Sequence, residues 1–237
     1  MVALLNINAG NTAPTKFAGS LVLGGVAMFA ASGAFAQEAA SPFLSSPFTI
    51  SGGVDFTTNY VSKGFTQSDN KPAIQPYLEI GYGSLYFALW GSNVDFGDED
   101  IEVDVELGWL TTLGSVDLAI GFAQYFYRDD DADYGEAFIS AEYAFSEDLS
   151  MNAQYWYEVY AYSDVVYVGA EYGGFHEDVV VSGGVGTDFG TRGFDQDAVY
   201  GDLGVTWNFA ENLSVDVRGN YSAIEEERLI ATFSVAF

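Results

Sequence analysis

Along most of its length the chain alternates apolar and polar positions with a period of two, in segments of ten residues or more. The clearest lies at 101–112, where Ile101, Val103, Val105, Leu107 and Trp109 oppose Glu102, Asp104, Glu106 and Gly108. A slip of one residue would carry the acids onto the apolar side, so the facing is fixed. Upstream, Ile50, Val54, Phe56 and Tyr60 oppose Ser51, Asp55, Thr57 and Asn59, and Ile74, Leu78, Ile80 and Tyr82 oppose Gln75, Glu79 and Gly81. Downstream, Ile139, Ala141 and Tyr143 oppose Ser140 and Glu142, and Met151, Ala153 and Tyr155 oppose Asn152, Gln154 and Trp156. Segments 164–172, 179–189, 198–209, 213–223 and 228–237 continue the theme, which gives about twelve strands.

Strand length and the connections then choose an architecture. Soluble strands run to ~5–6 residues, whereas a tilted membrane strand needs ~9–11. Short turns at 83–84, 114–115, 146–148, 173–178 and 210–212 alternate with longer or more charged links at 62–71, 97–100, 128–134, 190–197 and 225–227; only 161–163 is short where a long loop is expected. Short periplasmic turns and longer outer loops are the rule in outer-membrane barrels. The expected fold is therefore all-β: a transmembrane antiparallel up-and-down barrel of about twelve strands over 48–237. Aromatics at strand ends fit its two girdles, with Phe48, Tyr82, Phe145, Tyr172, Phe209 and Phe237 at the periplasmic rim and Tyr60, Phe96, Phe126, Tyr160 and Phe189 at the outer one. The last strand sets Leu229, Ala231, Phe233, Val235 and Phe237 in one row. It resembles the closing strand of bacterial outer-membrane barrels, which makes Phe233, Val235 and Phe237 a candidate signal to the barrel-assembly machinery. That strand must also pair with the first, at 48–60, to remove both open edges.

The front of the chain reads differently. Lys16 is the one charge before residue 37, residues 17–35 are apolar and small, and Ala34-Phe35-Ala36 fits a small-x-small cleavage pattern. Residues 1–36 are expected to be a signal peptide cleaved near Ala36, and 37–47 a short periplasmic linker; a transmembrane anchor is the competing reading. With 34 acids against seven Lys plus Arg, the formal net charge of -27 argues against nucleic acid as a partner. There is no Cys, which removes disulfides and thiolate metal sites. Location in the outer membrane of a Gram-negative bacterium follows, with lipid and lipopolysaccharide around the barrel and small solutes within it.

The run Asn59-Tyr60-Val61-Ser62-Lys63-Gly64-Phe65-Thr66-Gln67-Ser68, then Lys71-Pro72-Ala73 with Gln75, Trp90-Gly91-Ser92-Asn93-Val94-Asp95, and Glu102, Asp104 and Gly108, resembles the TorF family of porins. The likeness is strongest over 50–145. It implies an outer-membrane barrel and leaves the substrate undefined.

Candidate chemistry lies on the polar face. Asp55, Glu79, Glu102, Asp104, Glu106, Asp117, Glu136, Glu142, Glu158, Glu171, Asp188, Asp202 and Asp216 would line a lumen, opposed chiefly by Arg218 and Arg228. A low-dielectric wall of one charge sign attracts the opposite ion, so the expectation is passive diffusion of small solutes with preference for cations. A closed structural or adhesive barrel, its acids packed with Tyr, Trp and Arg, is the alternative. Lys63 and Lys71 in the first outer loop either fold inward to constrict the pore or brace the loop against acidic neighbours, and Ser92-Asn93 is placed to hold that loop. Catalysis is not expected, because the one histidine, His176, falls in a periplasmic turn. No cofactor or metal site is expected either: the acidic loops 98–100, 129–133 and 225–227 lack EF-hand spacing. The glycines Gly183, Gly184 and Gly186 lie within a strand rather than between a strand and a helix, and would make room for inward aromatics.

Overall fold

The computed structural model describes residues 48–128, 133–159, 163–189 and 198–237. The expected leader and linker, the Tyr160 ring, most of the acidic loop 129–133, and the links 161–163 and 190–197 lie outside these residues, wholly or in large part. The strands are β1 (Phe48–Thr57), β2 (Val61–Ser62), β3 (Phe65–Thr66), β4 (Ala73–Tyr82), β5 (Leu85–Phe96), β6 (Glu99–Leu113), β7 (Val116–Tyr127), β8 (Tyr134–Ala144), β9 (Leu149–Glu158), β10 (Ser163–His176), β11 (Val179–Asp188), β12 (Ala198–Ala210), β13 (Leu213–Ser222) and β14 (Arg228–Ala236). β1 and β4 to β14 form a closed antiparallel barrel of twelve strands, each paired to its neighbours in sequence order, while β2 and β3 make a separate small hairpin.

Closure joins the two ends of the described chain. Val54 stands opposite Val235 and Phe56 opposite Phe233. The seam is finished by a reciprocal pair of backbone bonds, Gly52 N–H to the Phe237 carbonyl at 3.1 Å and Phe237 N–H to the Gly52 carbonyl at 2.9 Å. No strand edge of the barrel is left open, which is what a lipid environment demands of a β structure.

Burial runs opposite to that of a water-soluble domain. Leu107, Leu203 and Leu229 are 60%, 67% and 77% exposed on the outer surface, whereas Glu102, Glu136 and Thr206 are 1%, 0% and 0% exposed inside. An apolar surface that encircles the molecule, with acids enclosed, is stable only if hydrocarbon covers it. The alternation seen in the sequence is thus an outward apolar row and an inward polar one, the facing expected for 101–112.

Three boundaries differ from the periodicity reading. Residues 173–176 continue β10, so only 177–178 turn the chain, and the outer connection between β5 and β6 contracts to Gly97 and Asp98. Gly83 and Gly114 occupy the left-handed region at φ 61° and 67°, where tight hairpin turns need a residue without Cβ. Tyr60, assigned above to the outer girdle, is only 1% exposed, because the chain has already turned into the barrel there.

Candidate functional site: the lumen and the loop that enters it

β1 ends at Thr57, and the loop to β4 folds inward by local chemistry. Ser62 pairs with Phe65, so Lys63 and Gly64 form a two-residue hairpin turn, with φ at 50° and 84°. Both values are positive, as a type I′ turn requires. Asp69 and Asn70 repeat the device at 51° and 58°, closed by Lys71 N–H to the Ser68 carbonyl at 2.9 Å. Between the turns, Ser68 Oγ accepts from the Tyr60 N–H at 2.9 Å and has two acceptors for its one proton, the Lys71 carbonyl at 2.7 Å and Asn59 Oδ1 at 2.9 Å. The loop therefore carries its own small polar core, with Ser68 fully buried in it.

Its tip reaches across the interior. The Lys63 ammonium forms an ion pair with Glu136 on β8, five strands round from β1 in the ring of twelve. At Gly64 an added Cβ would lie 2.6 Å from Tyr200 Cβ on β12 and 3.2 Å from Ser222 Oγ on β13. Only glycine fits that close approach. Tyr125 donates to the other Glu136 oxygen at 2.9 Å, and Glu102 takes hydroxyls from Tyr127 and Tyr60. Tyr60, Trp90 and Tyr125 pack together at this level, with the Tyr60 and Trp90 rings 5.3 Å apart and edge to face.

The two loop lysines divide the alternatives. Lys63 is enclosed, whereas Lys71 is 57% exposed and pairs with Asp95 and Asp69 at the outer rim. The Asp95 hydrogen bond raises the Lys71 pKa above its usual range. Lys71 is thus a brace. Asn93 is a second one: its Oδ1 accepts from the Ile74 N–H at 2.8 Å and its Nδ2 donates to the Pro72 carbonyl at 3.1 Å. The need arises in β4, whose ladder with β5 stops at Tyr77 opposite Trp90, next to Pro76, which has no N–H to offer. Arg228 also belongs to the rim. It bonds Glu225 at 2.6 Å and Asn70 at 2.7 Å, so its charge is spent on loop contacts rather than on the lumen acids.

The acids of the polar face all come from inward positions, and a second network holds some of them. Arg218 pairs with Asp202 and Asp216 and donates to Ser182 at 2.8 Å, while Thr206 donates to Asp216 at 2.8 Å and Tyr167 to Asp202 at 2.9 Å. Glycines on the same wall make this possible. A Cβ at Gly186 would lie 2.5 Å from the Tyr200 ring, and one at Gly204 would lie 2.7 Å from the Arg218 guanidinium, so these side chains lie flat against bare backbone. Tyr86 donates to Glu106 on the β5–β6 wall, and Thr112 to Asp117 near the periplasmic end at 2.7 Å. Asp55, Glu142, Glu158 and Asp188 are buried, and Glu79 and Glu171 are partly enclosed. The inward tyrosines at 60, 125, 127, 167 and 200 are functional candidates that sequence periodicity did not single out; at 125, 127, 167 and 200 the signal was an aromatic at a polar-phase position, whereas Tyr60 is in phase with outward residues and carried no such signal. His176 lies at the end of β10, 62% exposed beside Asp178 and far from these networks in the fold.

Among solved structures the barrel is similar to the KdgM porin, at 9% identity and a TM-score of 0.60, over 79% of this chain and 98% of that one. It is also similar to the KdgM porin in complex with disordered oligogalacturonate, at 10% identity and a TM-score of 0.55 over 79% and 95% of the chains. The NanC porin matches at 9% identity and a TM-score of 0.54, over 79% and 98%. At such identities the likeness concerns the fold. No curated protein sequence matches. A family model described as "Bacterial protein of unknown function" matches residues 39–218, and the chain belongs to that family, Gcw_chp.

Proposed function

We propose that this protein is a porin of the outer membrane of a Gram-negative bacterium, allowing passive diffusion of small solutes through a lumen that prefers cations and is narrowed by the first outer loop. The reading includes export by a cleaved leader at 1–36, a linker at 37–47, lipid and lipopolysaccharide around the apolar outer face, and insertion by the barrel-assembly machinery. The observation that carries it is the charge of the interior: among the described residues the bases that pair with inward acids are Arg218 and Lys63. Oxygens of Asp55, Glu102 and Asp104 have no hydrogen-bond partner although buried. A buried carboxyl oxygen in that state calls for water, a proton or a cation beside it. The porin folds of KdgM and NanC support the pore, and the likeness of 59–75 and 90–95 to the TorF porins supports the same class.

A second reading, a closed structural or adhesive barrel, is favoured by one observation: Tyr60, Tyr125, Gln75, Glu102 and Glu136 are all fully buried at the level of the loop. Liposome swelling with small neutral solutes separates the two. The porin reading expects swelling that slows with solute size, and vesicles that hold every solute as tightly as protein-free ones would establish the closed barrel.

A further inference from the structure

The inward wall of β4, β5 and β6 carries acceptor oxygens without donors. Glu102 and Asp104 lie two residues apart on one face of β6, 1% and 6% exposed. Glu102 takes the Tyr60 and Tyr127 hydroxyls, yet its Oε2 has no partner, and neither has Asp104 Oδ1. Gln75 on β4, 0% exposed, gives its Nε2 to Ser92 Oγ at 3.3 Å and leaves Oε1 unpartnered. Ser92 stands opposite Glu102, and Trp90 opposite Asp104, so with the Gln75–Ser92 bond these oxygens share one depth, Gln75 on β4 and the two acids on β6 with β5 between them. Lys63 pairs with Glu136, and among the described residues neither Glu102 nor Asp104 has an ion-pair partner.

We propose that Gln75 Oε1, Glu102 Oε2 and Asp104 Oδ1 form a binding site for a small monovalent cation that keeps part of its water shell. The site deepens the cation-preferring pore reading and rests on it for its role in transport. The ligand class follows from the donor set. Hard divalent ions want six or more oxygens in a tight shell, and among the described residues no three His, Cys, Asp or Glu side chains converge as a metal cage. Two carboxylates on β6 and one amide oxygen on β4, carried on strands two spacings or about 9.6 Å apart, suit an ion that retains some waters to bridge them. The Tyr60 and Trp90 rings beside it limit access of bulk water, which strengthens the attraction. The tethered ammonium of Lys63 repels an ion from the same cluster, so occupancy is brief, as conduction requires.

Rubidium supplies the probe. Crystals of the wild-type protein soaked in rubidium chloride at neutral pH are expected to show an anomalous peak between Glu102 Oε2 and Asp104 Oδ1; its absence there, with rubidium ordered elsewhere or not at all, overturns the site. In planar bilayers, wild-type conductance should saturate with rubidium activity, and the Glu102→Gln, Asp104→Asn double variant should respond linearly. Equal saturation in both, with cation preference retained, sinks the site and leaves the pore reading standing. A rubidium peak in a barrel without conductance keeps the site and sinks the pore.

Discussion

The ammonium of Lys63, held on a two-residue turn of the first outer loop, meets the carboxylate of Glu136 on the far wall of the barrel. The pair joins a segment between β1 and β4 to a strand five places round the ring, so the loop spans the lumen rather than standing above it. Its tip thereby stands across the interior, between Glu136 on one side and Tyr200 and Ser222 on another.

Breaking that pair should act on both stability and transport. Lys63→Ala removes the ammonium that pairs with the enclosed Glu136, an expected loss of about 3 kcal/mol in a buried setting. Chemical denaturation in detergent measures it. Single-channel conductance should rise in the same variant, since the tether and the enclosed positive charge of the loop are gone. Lys71→Ala is the control: its ion pairs are exposed, so it should cost under about 1 kcal/mol and leave conductance unchanged. Equal effects of the two substitutions would refute the inward loop.

Asn93→Ala removes the side chain that serves the Ile74 N–H and the Pro72 carbonyl beyond the Pro76 break. Each lost hydrogen bond costs about 1 kcal/mol. The expected signature is local, with faster proteolysis within 58–72 and more frequent current fluctuations, while the heat-modifiable gel shift of the barrel is retained.

Gly186→Ala places a methyl group where the Tyr200 ring lies, 2.5 Å from the nearest ring atom. The ring must leave the bare backbone it lies against. Overpacking of this kind costs about 1–3 kcal/mol. Gly91→Ala, where the nearest atom is 3.4 Å away, should be much milder in the same unfolding experiment.

Deleting Phe237 removes both backbone bonds that join it to Gly52, just beyond the last register pair, Gly53 opposite Ala236. Assembly is expected to suffer before any pore property does. The amount of folded barrel in outer-membrane fractions should fall, while the molecules that do insert conduct normally. Normal insertion with altered conductance would contradict this order of effects.

Much of this fold was legible in the sequence because the barrel repeats one physical rule. Glu102, Asp104 and Glu106 cannot face hydrocarbon, so the period of two fixed both the strand and its facing, and Gly83 and Gly114 marked turns that only positive φ allows. The approach of 228–237 to the first strand followed from the need to leave no edge. The loop was less legible. Tyr60 sits in phase with outward residues and looks like a girdle aromatic, yet two I′ turns redirect the chain and bring it inside. Nothing local tells Lys63 from Lys71; the partners that separate them, Glu136 and Asp95, lie 73 and 24 residues away. Arg228 was likewise assigned to the lumen from strand phase alone, and its actual partners, Glu225 and Asn70, belong to loops whose course periodicity does not describe.

The central claim, an acid-lined pore that prefers cations, is tested most directly by the reversal potential of the purified barrel in a planar bilayer under a tenfold gradient of potassium chloride. The account predicts a potential of the sign set by potassium flow, moving further in that direction in Lys63→Ala; a potential of the opposite sign, or none, would contradict it.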